Sequence, residues 1–315
     1  MKDNKFFNYT QINTNKTRET RVFADGNYVI KTPNTTNPSY IKNWLDKQSN
    51  AKHAVDDLCK IGNCGKFYFV PKITELSEND TPYVREERVV GTPVTLDFFN
   101  ALTPVQQDKI FDALTNFLVD MNQSRPVYDL ISLLEKPDSK GFTFANVLSE
   151  LQISKENKSN VQNAYDFLKS HQEMMASYVF FHGDMNEHNI FYDPEHNSVS
   201  FIDFAEAGYE NAEYMFDHDL VKLPWFDMNK VKSKYNKTPA HQKVRTTSDP
   251  DMKKLFNALR SFQWTGETLL TTKTKTGVSY IYNMLLDNVS EINRCYKICL
   301  QKIQSKNIVF NNVRD

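Results

Sequence analysis

Two carboxylates and a carboxamide crowd into one short stretch, "HGDMNEHNIFYDPEHNSVSFIDF" (His182–Phe204), as Asp184, Asn189 and Asp203. Side chains of these types bind a hard cation through oxygen, and a carboxylate left over can take up or orient a proton. Phosphoryl transfer from a nucleotide asks for such a set. It needs oxygen ligands for Mg2+, a carboxylate beside the acceptor hydroxyl, and a lysine on the donor phosphates. Asn189 and Asp203 fit the metal ligands, and Asp184 is then free for the hydroxyl proton. Lys31, which ends the strand-like "YVIK" (Tyr28–Lys31), fits the phosphate lysine. The plainer alternative is that the three Asx residues only cap turns and that Lys31 is an exposed strand lysine.

The elements around these residues favour the first reading. Val179, Phe180 and Phe181 form a β-prone apolar run, Ile190–Tyr192 a second, and Val199, Phe201 and Ile202 a third. "DPEHN" (Asp193–Asn197) between the last two is turn chemistry, so they predict a hairpin. Closing that hairpin brings Asp203 beside Asn189, with Asp184 in the loop that feeds it. Upstream, "RVFADGNYVIKT" (Arg21–Thr32) predicts a hairpin about Asp25-Gly26 that carries Lys31. A helix is expected from about Tyr40 to Lys60, ending near Gly62, followed by strands in "KFYFVPKI" (Lys66–Ile73) and "YVREERVV" (Tyr83–Val90).

Beyond Gly91 and Pro93 the chain turns helical. Thr103 as N-cap with Pro104 behind it predicts a helix to Gln123, and a second is expected over Asn160–Ser177. Asp251–Ile303 is largely helical except for the loop-like "TTKTKTGVS" (Thr271–Ser279), and no internal repeat appears. The expected fold class is α+β. A small β-rich N-terminal lobe (1–88) would hold a nucleotide, and a larger, mainly helical C-terminal lobe (89–315) would hold the catalytic residues and the acceptor. A hinge is expected near residues 85–91, since ligands favour clefts between such lobes.

With 315 residues the chain has room for two lobes and a sizeable core, and 40% hydrophobic with 24% charged residues is ordinary for a globular protein. A formal net charge of −1 argues against nucleic acid as a partner. "MKDNKFFNYTQINTNKTRE" lacks the apolar core of a signal peptide, and no apolar run approaches the ~20 residues of a membrane helix, so a cytoplasmic location is expected. Cys59, Cys64, Cys295 and Cys299 lack clustered histidines and are expected as buried or reduced thiols. "NKVKSKYNKTPAHQKVR" (Asn229–Arg245), with six Lys/Arg and no acid, is expected as a solvated mobile loop rather than a polyanion site.

Asp184-x4-Asn189 followed by a strand ending in "IDF" (Ile202–Phe204) resembles the catalytic core of protein-kinase-like enzymes. "HGD" at His182–Asp184 is similar to the version carried by the aminoglycoside phosphotransferase family and its choline kinase-like relatives. The resemblance implies a two-lobed protein-kinase-like fold, ATP or GTP with Mg2+, Asp184 as catalytic base, Asn189 and Asp203 on the metal, and Lys31 on phosphate. It further implies that "REERVVG" (Arg85–Gly91) is the hinge, where backbone groups near Glu86 and Arg88 would bind adenine. His182 is expected to support the catalytic loop, and Asp219, rather than Asp217, to brace it because Leu220 follows.

Three departures stand out. "NTNKTRET" (Asn13–Thr20) replaces the glycine-rich phosphate loop, the acidic partner of Lys31 is unclear with Asp46 one candidate, and "GYENAEYMFDHDL" (Gly208–Leu220) lengthens the family's aspartate motif.

From Asp203 to Asp227 the chain holds seven acids against one base, Lys222. That is either an acidic surface or the wall of a pocket for a cationic acceptor, with Glu206, Glu210, Glu213 and Trp225 as its candidate residues. The leading expectation is an O-phosphotransferase acting on a hydroxyl of a small, cationic molecule. The competing ones are a choline, homoserine or sugar kinase on the same fold, and a nucleotide-binding pseudoenzyme.

Overall fold

The computed structural model describes residues 10–11, 20–79, 81–135, 142–238, 244–272 and 275–312. Strands β1 (Thr10–Gln11), β2 (Thr20–Asp25) and β3 (Tyr28–Pro33) come first, then helix α1 (Pro38–Leu58), then β4 (Ile73–Ser77) and β5 (Tyr83–Glu87). These strands form one antiparallel sheet in the order β1-β2-β3-β5-β4. The β2–β3 turn places Gly26 at φ +59°, a conformation that glycine adopts without strain. Asn37 caps α1 by accepting from the Ser39 N–H, with Pro38 in the first turn. The helix buries Trp44, Gln48, Ala51, Val55 and Leu58, one stripe at helical spacing.

Next come β6 (Thr92–Pro93), α2 (Leu96–Ala101) and α3 (Pro104–Gln123), the last opened by a capping box between Thr103 and Gln106. The chain continues through β7 (Tyr128–Asp129), α4 (Ser132–Glu135), α5 (Phe144–Glu150) and α6 (Lys155–Ser170). After these come β8 (Ser177–Phe181), β9 (Ile190–Asp193), β10 (Ser198–Phe201), β11 (Gly208–Asn211), α7 (Ala212–Tyr214), α8 (Met228–Tyr235), α9 (Pro250–Thr271) and α10 (Lys275–Asn312). The class is α+β as expected, with the sheet in the N-terminal region and helices dominating the rest.

Two compact units divide the chain. The first joins residues 1–127 with 179–244, and the second joins 128–178 with 245–315. The β-rich N-terminal region and the β9–β10 hairpin therefore share one unit. That unit is built on a core that includes Leu58, Tyr68, Phe117, Tyr192, Phe201 and Phe216. The second unit is a helical assembly of α5, α6, α9 and α10 around residues such as Leu134, Val147, Leu168, Phe262 and Ile292.

Several local expectations give way to packing. "KFYFVPKI" is not a regular strand. Phe69 alone joins β10, donating to the Val199 carbonyl and accepting from the Phe201 N–H, and Pro71 has no N–H with which to continue a ladder. β5 ends at Glu87, before the two valines. The helix expected over Asn160–Ser177 is Lys155–Ser170, started earlier by the cap of Ser154 on the Asn157 N–H. The loop expected at Thr271–Ser279 is shorter, since α10 begins at Lys275; residues 273–274 lie outside the described residues.

The basic run after Asn229 opens as helix α8, capped by Asp227, with Val231 and Tyr235 buried at i,i+4. Lys230 and Lys234 pair with Asp108 and Asp112 of α3, which explains a cationic stretch without an acid of its own. Cys295 and Cys299 are buried thiols as expected, whereas Cys59 is exposed and Cys64 half-buried.

Phe117 of α3 is the residue on which the first core turns. Its ring stacks on Phe201 at 4.1 Å and meets Tyr68 edge-on at 5.4 Å. Replacing a fully buried phenylalanine by alanine removes that contact area and leaves a cavity. Phe117→Ala should cost about 3–5 kcal/mol, read as a lower midpoint in urea denaturation at unchanged slope. A loss below about 1 kcal/mol would mean that the core closes over the gap.

Candidate active site

The catalytic loop hangs between β8 and β9 on one histidine. His182 is buried, and its ring accepts the Asp184 N–H at Nδ1 (3.3 Å), so Nε2 carries the hydrogen and donates it to the Ile202 carbonyl (2.9 Å). The ring also packs against Phe204 and Phe117. One side chain thus ties the start of the loop to the end of the β9–β10 hairpin. Gly183 lies between at φ +85°, and a Cβ there would fall 2.0 Å from the Glu206 carbonyl oxygen. Both the backbone conformation and the space exclude any other residue.

The hairpin pairs Ile190 with Phe201, so Asn189 and Ile202 sit at its open end, and the Ile202 N–H donates to the Asn189 carbonyl at 3.0 Å. Asn189 is buried, and its amide NH2 donates to the Asp184 carbonyl (2.8 Å) and to the Asp184 carboxylate (3.2 Å). That orients the amide: the nitrogen is used, and among the described residues no donor reaches Oδ1. Asp203 follows in the left-handed region at φ +65°, a strained position of the kind that collects at functional sites.

Lys31 reaches the same place from β3. Its Nζ lies 2.9 Å from Glu86 Oε1 and 3.5 Å from Asp203 Oδ1. The Lys31 and Glu86 side chains are only 11% and 9% exposed, against 45% for Asp203. Burial alone would lower the Lys31 ammonium, but the Asp203 and Glu86 charges outweigh it and hold its pKa above the ordinary value. Lys31 in turn holds the Asp203 carboxyl below its usual value. Glu86 is the costly member: burial pushes its carboxyl up, and Lys31 only partly offsets that.

Glu86 thereby answers the question of the missing acid. The partner of Lys31 lies on the neighbouring strand, and Asp46 is exposed on α1. In the β3–β5 register Lys31 faces Val84, so Glu86, two residues on, is its diagonal neighbour on the same face. The signal was present in "YVREE", where alternation places Val84 and Glu86 on one side, but only the strand register assigns the pair.

Part of the hinge backbone is already engaged. Glu86 pairs with both flanking strands, the Glu87 N–H donates to the Lys72 carbonyl and the Arg88 N–H to the Asn27 carbonyl, so these donors are spent within the sheet.

The expected acceptor residues scatter. Trp225 is buried, stacked on Phe99 at 5.0 Å, and donates its indole N–H to the Val94 carbonyl, so it offers no open face to a cation. Glu206 is exposed and pairs with Lys47 of α1 at 2.5 Å. Glu210 is half-buried and accepts the Asn211 N–H, and Glu213 is half-buried in the first turn of α7. Asp217 is exposed, whereas the Asp219 side chain and residues 12–19, in place of the glycine-rich loop, lie outside the described residues.

The donor set fits Mg2+. Asn189 presents an amide oxygen and Asp203 a carboxylate with unspent lone pairs, and phosphate oxygens would complete the shell. Among the described residues no group of three or more His, Cys, Asp or Glu could hold a metal.

The sequence model of the phosphotransferase enzyme family matches residues 63–225. Among solved structures, the chain is similar to the ADP-bound aminoglycoside phosphotransferase APH(2'')-Ib at 12% identity and TM-score 0.47, over 89% of this chain and 91% of that one. It is similar to the streptomycin–ATP complex of APH(2'')-IIa at 13% identity and TM-score 0.45, over 91% and 90%. A choline/ethanolamine kinase family protein from Mesorhizobium loti follows at 13% and 0.40, over 91% and 92%. No curated protein matches the chain by sequence.

The Lys31 triad predicts an opposed pH response. Asp203, its pKa lowered from 3.8, contributes stability that is present above that value and lost as pH falls through its lower folded-state value. Glu86, raised from 4.5, acts with the opposite sign, and losing Lys31 exaggerates this. Lys31→Met should cost about 3–5 kcal/mol at pH 7, by leaving Glu86 buried without its cation. That deficit should shrink as the pH is lowered through the carboxyl range. Denaturant titrations of parent and variant at several pH values measure it, and a constant deficit contradicts the pairing.

Proposed function

The chain belongs to the phosphotransferase enzyme family, and from that premise we propose that it is a cytoplasmic, ATP- or GTP-dependent O-phosphotransferase. It moves the γ-phosphate to a hydroxyl of a small cationic molecule, with Mg2+ as cofactor. The observation that carries this reading is the placement of Lys31 Nζ 3.5 Å from Asp203, beside the Asp184–Asn189 pair. A cation for the donor phosphates and a carboxylate for the metal then converge where a proton acceptor already stands. Among the described residues no helix is long and apolar enough to cross a membrane.

In this reading residues 1–88 hold the nucleotide and residues 89–315 carry the catalytic groups and the acceptor. Backbone groups of the Arg85–Gly91 hinge near Glu86 and Arg88 contact the base. Asn189 and Asp203 would hold Mg2+, which when bound would supply charge neutralisation on the transferring phosphoryl group. Lys31 holds the donor phosphates in line. Asp184, fixed by Asn189 and by its own backbone bond to His182, orients the acceptor hydroxyl and takes its proton as the new O–P bond forms and the nucleoside diphosphate leaves. Asp219 braces the loop. With Trp225 in the core and Glu206 on Lys47, the cationic preference rests on Glu210 and Glu213.

A kinase assay with ATP and GTP over aminoglycosides, choline, homoserine and neutral sugars tests the reading. A cationic hydroxyl compound should be the best acceptor. Asp184→Asn should cut turnover by roughly 10²–10⁴ while leaving Mg–nucleotide binding intact. Unchanged turnover in that variant removes Asp184 from the chemistry. A neutral or anionic best acceptor replaces the cationic preference with a sugar or homoserine kinase, and no transfer to any acceptor by a nucleotide-binding chain favours a pseudoenzyme.

A further inference from the structure

A cavity of about 470 Å3 opens in the first unit, and it contains none of Lys31, Asp184, Asn189 or Asp203. Its walls come from the turn that follows α1, from residues 88–90 after β5, from α3, and from the β9–β10 turn. We propose that this cavity is a binding site for a small organic anion, one that carries a phosphate or carboxylate on an apolar body.

Charge is the first argument. Lys66, Arg88 and Lys109 line the cavity, and among the described residues none of the three has an ion pair or a side-chain hydrogen bond. Other surface lysines of this chain are neutralised where acids are near, as Lys230 and Lys234 are by Asp108 and Asp112. Three unneutralised cations around one concavity repel one another, and an anion relieves that repulsion.

The single acid in the wall does not supply the relief. Asp193 accepts the N–H groups of Glu195 and His196 and bonds the His196 ring at 2.6 Å, so its oxygens are already engaged. The same contact raises the pKa of the His196 imidazole, and the protonated ring cancels the Asp193 charge. Asn197, pinned at φ +48° with its carbonyl oxygen accepting from Tyr192, keeps its amide NH2 as a further donor.

Size and polarity complete the description. About 470 Å3 lies within the range of small-molecule sites and exceeds what inorganic phosphate alone would fill. Phe69 and Val90, 36% and 68% exposed, give the wall an apolar strip that water covers poorly. A compound with an anionic head and a ring or short chain satisfies both parts of the surface.

Phenyl phosphate is the probe, titrated calorimetrically into the full chain with inorganic phosphate as the head-group control. Phenyl phosphate should bind more tightly than phosphate. Lys66→Glu and Lys109→Glu should each weaken it about tenfold or more at unchanged melting temperature and unchanged nucleotide affinity. Lys31→Ala, titrated at a temperature where its circular dichroism matches the parent's, separates this site from the catalytic one, since it should leave phenyl phosphate binding within about twofold of the parent. Loss of binding in Lys31→Ala with retention in the two glutamate variants would assign the probe to the catalytic site and overturn the proposal. So would the absence of any binding at millimolar probe. Lys66→Gln and Lys109→Gln repeat the comparison should charge reversal disturb folding, with the same outcomes deciding.

Discussion

An ammonium group buried against a β-sheet cannot remain charged without partners, and the candidate site is organised around meeting that requirement at Lys31. Glu86 meets it from the adjacent strand and Asp203 from the end of the hairpin. The two contacts serve different ends. Glu86 is as deeply buried as the lysine and fixes where its charge sits, at a desolvation cost that breaking the pair would expose. Asp203 is more open and keeps lone pairs for a further ligand. Because Lys31 is paired from within the sheet, its position depends on strand register rather than on the placement of α1.

The opposite side of the site is rigid for a different reason. His182 bonds both the Asp184 backbone and Ile202, Gly183 lies against Glu206 where no side chain fits, and Phe117 and Phe204 pack on the histidine ring. The loop therefore has little freedom between β8 and β9. Asn189 adds the last constraint, since donating its NH2 to Asp184 leaves its carbonyl oxygen for a cation. Preorganisation of this sort matters in phosphoryl transfer, where the protein contributes position and charge more than covalent chemistry.

How much of this was legible in the sequence follows from the range of each interaction. The β9–β10 hairpin, the β2–β3 hairpin with Lys31 and the start of α3 were readable because their signals are local: turn residues, alternation and an N-cap within a few positions. The grouping of Asp184, Asn189 and Asp203 was readable for the same reason. The Glu86 side chain's pairing with Lys31 was not readable, because it depends on which residue of β3 lies diagonally across from it. Trp225 read as a candidate wall of the acceptor pocket, and only the fold sets Phe99 beneath it. The basic run at α8 read as loop because the aspartates that neutralise it lie on α3, more than a hundred residues earlier. In each miss a contact between distant segments decided the outcome over local composition.

The central claim is that Asn189 and Asp203, beside Lys31, hold the cation that accompanies the donor phosphates. Manganese in place of magnesium makes that directly visible, because a paramagnetic ion broadens the resonances of nuclei close to it. In an isotopically labelled chain with nucleotide bound, substoichiometric Mn2+ should broaden the amide signals of Asn189, Asp203 and their neighbours first, with Asp184 among them. Without nucleotide the effect should weaken markedly, since two protein ligands alone make a poor site. Broadening centred elsewhere in the chain, or equally strong there without nucleotide, would contradict the account.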